Sequence, residues 1–196
     1  MQKTKDGFKI VTAASKKAWR EWLAENHDKE KSVWLVIYKK DSDIDSVNYE
    51  EALREGLCYG WVDSKPNKRD AESYYQFFSK RNPKSNWSGK NKRLIAELTA
   101  AGKLAEPGKE MVRIAKETGT WDALNDVENL IVPPDMQALF DKNKTAFENW
   151  ENFPPSTKRG ILEWIFNAKR APTREKRIRE TVEKAGENVR ANQYFR

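Results

Sequence analysis

Apolar positions recur at helical spacing at several places along the chain. Trp19, Trp22 and Leu23 follow Ser15 at i, i+3, i+4 spacing, so residues 15–27 are predicted as an amphipathic helix capped by Ser15. VWLVIYKK (33–40) is a short apolar run rich in β-branched and aromatic residues, the pattern of a buried strand. The polar DSDIDS (41–46) breaks it. Asn48 with Glu51 three residues on has the form of a capping box. Tyr49, Ala52, Leu53 and Leu57 then make one face of a second helix, which Gly60 ends. Trp61-Val62-Asp63 reads as extended, KPNKRD (65–70) as a turn, and SYYQFFSKR (73–81) as a strand with alternating faces.

From about Ser85 onward the period becomes helical. Leu94, Ile95, Leu98 and Ala101 form one stripe, and Pro107 suits a first turn with Met111, Ile114 and Ala115 facing inward. GTWDALNDVENLIVPP (119–134) reads mostly as loop. Short helices are predicted near 135–142 and 144–151, and a well-patterned one around Ile161, Leu162, Trp164, Ile165 and Ala168. Pro172-Thr173 opens a last helix running to about Gly186, before the weakly patterned tail ENVRANQYFR. The expected fold class is α+β, with a small antiparallel sheet and flanking helices in the N-terminal half and a helical array in the C-terminal half. The expected division is 1–92 and 93–196, with one compact unit as the open alternative.

Composition narrows the possibilities. The 196 residues suffice for a core without staples, and 8 Trp, 6 Tyr and 8 Phe are not a disordered composition. One cysteine excludes a disulfide framework and a Cys-type zinc site, and one histidine excludes a multi-His centre, so no metal is expected. The longest apolar run is six residues, Val33–Tyr38, which predicts no transmembrane helix. MQKTKDGFKIV lacks an apolar signal core, so the expected compartment is the cytoplasm. The net charge of +7 is uneven. Residues 65–93 carry nine Lys/Arg against two acids, and 169–196 carry nine against four, whereas 102–152 carry six against ten. The basic stretches either meet phosphates, acidic proteins or an anionic surface, or are solvated faces.

Six segments together resemble one family. They are WLVIYKK (34–40), EALREGLCYGWVDS (51–64), FFSKRNPKSNWSGKN (77–91), WDA (121–123), VPPDMQAL (132–139) and WIFNAKRAPTREKRI (164–178). In order and spacing they resemble the YdeI/OmpD-associated family, also called bacteriocin-protection proteins, over about residues 8–185. The resemblance implies a bacterial protein linked by name to protection against bacteriocins or antimicrobial peptides, a stress response, or to an outer-membrane porin. It implies no reaction and no cofactor. The family tends to read F-[ST]-P-R-[RK] before P-K-S, whereas here Phe78-Ser79-Lys80-Arg81-Asn82 puts Lys80 for the proline and Asn82 for the second basic residue. A site needing two adjacent basic residues of that kind therefore rests on Arg81.

The candidate ligand-binding residues are Trp61, Asp63 and Ser64 with Arg81, Ser85, Trp87, Ser88 and Asn91. In one reading they line a pocket. Arg81 then supplies fork-shaped donors for a carboxylate or phosphate, the Trp rings a stacking face, and a helix start at Ser85 or Ser88 free N–H groups. In the other they are structural: Asp63 pairs with Arg81 to pin two strands, Ser85 is a cap and the Trp residues are core. Cys58 reads as a buried inert thiol, and His27 as a helix C-terminal cap. AKRAPTREKRIRE (168–180) offers a basic surface of Lys169, Arg170, Arg174 and Arg177, with Thr173 as the expected N-cap. Its arginines have Glu175, Glu180 and the acidic stretch as alternative partners.

No G-x-S-x-G, Walker or Rossmann motif occurs. Asn86-Trp87-Ser88 and Asn143-Lys144-Thr145 match a glycosylation acceptor without any sign of secretion. Asp41, Asp43 and Asp45 lack the Gly and Glu of a calcium loop, since Ser46 and Ala52 stand there. The leading functional expectation is a non-enzymatic binding or stress-protection protein that takes a small anion, a ring-containing ligand or a peptide. The alternative is a nucleic-acid-associated protein using 65–93 and 169–190. An enzyme built on Asp63 with a Ser or Cys58 ranks last, for want of a nucleophile–base pair.

Overall fold

A computed structural model describes residues 4–192, so the start of MQKTKDGFKIV and the end of ENVRANQYFR lie outside the described residues. The chain divides into two compact units, one up to Asp122 and one from Ala123.

The first unit is built on a five-stranded sheet. Its strands are β1 (Thr4–Lys5), β2 (Phe8–Thr12), β3 (Ser32–Tyr38), β4 (Trp61–Lys68) and β5 (Ser73–Lys80), in spatial order β1-β2-β3-β5-β4. The expected strands β3, β5 and β4 are antiparallel neighbours, and β2 adds to β3 in parallel, which makes the sheet mixed. The parallel pairing requires a crossover, supplied by α1 (Lys16–Asn26). The β1–β2 hairpin turns at Asp6-Gly7, where both residues have positive φ (53° and 78°), the geometry of the tight turn that Asp-Gly favours.

Residues 65–70 are strand for most of their length, contrary to the turn expected there. Asp70 Oδ1 accepts from the Glu72 and Ser73 N–H groups (3.0 and 2.7 Å), which places the reversal later in the chain. Pro66 is tolerated because β4 is an edge strand and its register shifts between Asp63 and Pro66.

Alternation along the strands sends Val33, Leu35, Ile37 and Phe78 into one core with Trp19, Leu23 and Trp61. Helix α2 (Tyr49–Cys58) carries the expected Asn48/Glu51 capping box. It packs on α1, on α3 (Gly89–Ala100) and on α4 (Glu106–Glu117). Leu53, Leu57, Trp87, Leu94, Ile95, Leu98 and Ala115 form the second core of this unit. Helix α3 starts at Gly89 under an Ser88 cap, four residues after the helical period begins.

The second unit is helical: α5 (Asn125–Glu128), α6 (Pro134–Phe140), α7 (Lys144–Asn152), α8 (Pro155–Phe166) and α9 (Ala171–Gly186). Its core gathers Met136, Phe140, Trp150, Ile161, Ile165, Ile178 and Ala185. Helix α9 begins before the expected cap: Arg170 is the N-cap and Thr173 lies within the first turn. The reason is Pro172, which fits the first turn, where a missing N–H costs nothing. No helix among the described residues is long and apolar enough to cross a membrane.

Candidate functional site

Strand β5 ends at Lys80, and the next residue is held by its backbone. The Arg81 N–H donates to the Gly60 carbonyl (2.9 Å), which fixes the chain as it leaves the sheet. The side chain turns onto the indole of Trp87, with its guanidinium carbon 3.8 Å from the ring centroid. Trp87 is buried and in turn packs on Trp121, ring centroids 5.1 Å apart. Arg81 is 6% exposed, and a nitrogen of its fork donates to the Asn86 carbonyl oxygen. Its Nε–H is buried without a hydrogen-bond partner. Among the described residues no carboxylate forms an ion pair with it. Burial alone pushes the guanidinium down to about 10. A buried cation of this kind is costly unless an anion meets it.

An open cleft of about 540 Å³ reaches this side chain. His27, Asp28, Tyr59, Gly60, Lys80, Pro83, Pro107, Glu110 and Met111 complete its lining. Four elements converge there: the end of α1, the end of α2, the end of β5 and the first turns of α4. The convergence depends on two glycines. Gly60 has φ +70°, and a Cβ on it would stand 2.8 Å from Met111 Cγ and 2.9 Å from the Pro107 carbonyl oxygen. A Cβ on Gly108 would stand 2.3 Å from the Cys58 carbonyl oxygen, so α4 comes against the end of α2 only through glycine.

The polar rim is itself positioned. Lys80 Nζ donates to the Asp28 carbonyl oxygen (2.9 Å). His27 Nδ1 lies 3.0 Å from the Leu23 carbonyl oxygen, which only accepts, so Nδ1 donates in this bond. The Tyr59 ring stands between the His27 ring (5.4 Å) and the Arg20 guanidinium (5.5 Å).

The structure brings some of the sequence-predicted residues together and places the others apart. Arg81 and Trp87 come together as a stacked pair, and the turn between them is closed by Ser85, whose hydroxyl donates to the Asn82 carbonyl (2.7 Å). Ser88 accepts from the Asn91 N–H (3.3 Å) and caps α3 with Asn91 in its first turn. Trp61 is fully buried, its indole N–H 3.4 Å from the His27 carbonyl oxygen. Asp63 does not pair with Arg81. It accepts from the Tyr49 hydroxyl (2.8 Å), and burial with this bond raises the Tyr49 phenol well above its ordinary value. Ser64 is exposed, and its carbonyl accepts from Gln76 Nε2 (3.1 Å).

Sequence reasoning did not assemble His27, Tyr59, Gly60, Lys80, Pro107 and Met111, which lie up to eighty-odd residues apart in the chain. Gly60 next to an aromatic pair, and Lys80 beside Arg81, were the available signals. Cys58 is fully buried, and burial pushes its thiol up, away from reactivity.

In the second unit the four expected basic-surface residues divide into two that are engaged and two that are exposed. Arg174 makes a two-pronged pair with Asp135 (2.8 and 2.9 Å). Arg177 donates to the Trp164 carbonyl and stacks on that indole at 4.9 Å. Lys169 and Arg170 are exposed. No group of three or more His, Cys, Asp or Glu among the described residues is placed to hold a metal ion.

No curated protein and no solved structure matches the chain. Two families do. Residues 11–111, just over half the chain, match the family described as Domain of unknown function (DUF8412). Residues 129–188 match the family described as Bacteriocin-protection, YdeI or OmpD-Associated. The second match falls within the helical unit, which is similar to the YdeI/OmpD-associated family, and the first falls within the sheet unit and covers over half of the chain, so the chain belongs to the DUF8412 family.

Proposed function

We propose that this is a non-enzymatic binding protein for a small anionic ligand, held in the cleft at Arg81. One observation carries the reading: an arginine 6% exposed, its guanidinium stacked on Trp87 and without an acid partner among the described residues, belongs to the lining of an open cleft. Arg is suited to this role because it stays charged at neutral pH and offers planar paired donors. The apolar walls lower the local dielectric and strengthen its attraction for an anion. Binding there is compatible with the protection against bacteriocins that the family's description names, with the ligand serving as signal or as target. The nucleic-acid alternative is weaker, because Arg174 and Arg177 are spent on Asp135 and Trp164.

The test is Trp fluorescence and thermal shift on wild type and Arg81→Met against nucleotides, sugar phosphates, small carboxylates, peptides and short DNA, at low and moderate salt. A ligand that raises the melting temperature of wild type and leaves Arg81→Met unmoved supports the reading. Binding to DNA alone, fading steeply with salt and indifferent to Arg81, overturns it in favour of a nucleic-acid role.

A further inference from the structure

We propose that the ligand of this cleft is a monocarboxylate carried on an apolar body, rather than a phosphate; the inference rests on the anion-site reading above. The charge balance of the lining is the first argument. Arg81 and Lys80 supply two positive charges, and Asp28 and Glu110 supply two negative ones. These four charges cancel, and Arg113, outside the lining, pairs with Glu110. A phosphate monoester brings about −1.5 to −2 at neutral pH, a diphosphate more, and either would meet Asp28 and Glu110 in the same lining. A carboxylate brings one.

The supply of donors is the second argument. Phosphate sites surround the group with many N–H donors, from a glycine-rich loop or an Arg cluster. Here one fork nitrogen of Arg81 is already given to the Asn86 carbonyl, and Lys80 is shared with the Asp28 carbonyl. The planar fork of Arg81 matches the two oxygens of a carboxylate, and the site has a single arginine and no glycine-rich loop to surround a phosphate. Glu110 is not free to turn away, because Arg113 engages both of its oxygens (2.6 and 2.8 Å) and keeps it ionised at the rim.

The walls supply the third argument. Tyr59, Pro83, Pro107 and Met111 add ring, pyrrolidine and thioether surface to the lining. Such surface gains nothing from a hydrated phosphate and gains from burying an aliphatic or aromatic group. About 540 Å³ holds a ligand of the size of an arylalkanoic acid or the last residues of a peptide. A free apolar acid and an apolar peptide C-terminus share this chemistry.

The experiment is isothermal titration of the full chain with 3-phenylpropionate, with a tripeptide ending in a free phenylalanine carboxylate, with the same tripeptide amidated, and with inorganic phosphate and pyrophosphate. The expected result is binding of the phenylpropionate, the peptide acid or both, at least tenfold weaker for the amide and for both phosphates. Arg81→Met should lose at least tenfold in affinity. Met111→Glu, which sets a carboxylate in the apolar wall, should do the same and serves if Arg81→Met does not fold. A peptide acid binding tenfold tighter than phenylpropionate identifies a peptide terminus, and the reverse order a small acid. Phosphate binding that depends on Arg81, without carboxylate binding, overturns this inference and leaves the anion site standing. No binding that depends on Arg81 overturns both.

Discussion

Arg81 is held in place by a ring face and a carbonyl, which stabilise its charge only in part, with no carboxylate among the described residues to answer it. The indole face of Trp87 and the Asn86 carbonyl satisfy shape and one donor, yet the cation is buried with Nε unpartnered. A residue kept for stability alone would be better replaced by an apolar one. Arg81→Met is therefore expected to melt at the same temperature as ligand-free wild type or higher, while losing ligand-induced stabilisation; differential scanning calorimetry with and without ligand checks both. A second residue-scale prediction concerns Tyr49. Its hydroxyl donates to Asp63, and the raised phenol means the folded state holds that proton to higher pH than the unfolded chain. The resulting stability is present below the ordinary tyrosine value and is lost as pH rises beyond it. Tyr49→Phe should cost about 1 kcal/mol at neutral pH and should flatten the alkaline fall in stability seen by urea titration. At this scale the sequence singled out Arg81 and Trp87 by their chemistry. It did not reveal that Asp63 answers Tyr49, because that depends on which side of the β4 bulge Asp63 stands.

The elements were mostly legible where a local signal fixes them. The Ser15 cap, the Asn48/Glu51 capping box and Pro107 in a first turn act over three or four residues, and each is found as the spacing predicts. β1 and β2 are the counterexample. Asp6-Gly7 carried the hairpin signal, but Phe8–Thr12 becomes a strand through its parallel pairing with β3, a partner more than twenty residues on. Two elements, α2 and α4, meet through glycine, and this sets the cleft. Gly108→Ala should push α4 off the Cys58 carbonyl, costing about 1–3 kcal/mol or more and weakening the ligand. A circular-dichroism melt with a parallel binding titration measures both losses. An unchanged melt would show that the close approach is not required.

At the scale of the whole molecule, each unit has its own core and each family match lies inside one unit. Ion pairs occupy many of the Lys and Arg side chains, Arg174 among them, but leave the net charge of +7 unchanged. The pair of Arg174 with Asp135 holds that carboxyl below the usual aspartate range, so it adds stability above the unfolded value that is lost as pH falls through the folded one. Both side chains are substantially exposed, and solvent screening limits the pair to about 0.5 kcal/mol. Asp135→Asn should therefore leave the neutral melt within about a degree or two and make the acid limb slightly shallower, as acid denaturation followed by Trp fluorescence would record.

The sequence by itself determined the α+β class, most caps and helices, the central antiparallel strands and the likeness of the helical unit to the YdeI/OmpD-associated family, because these rest on signals that act within a few residues or on motifs read in order. Only the tertiary structure decided the cleft. Its walls come from the ends of α1, α2 and β5 and the start of α4, and no spacing along the chain encodes their meeting. Tertiary structure also decided the charge state of the site. Whether an arginine is paired, solvated or stranded depends on what the fold places opposite it, and opposite Arg81 it places an indole and open space.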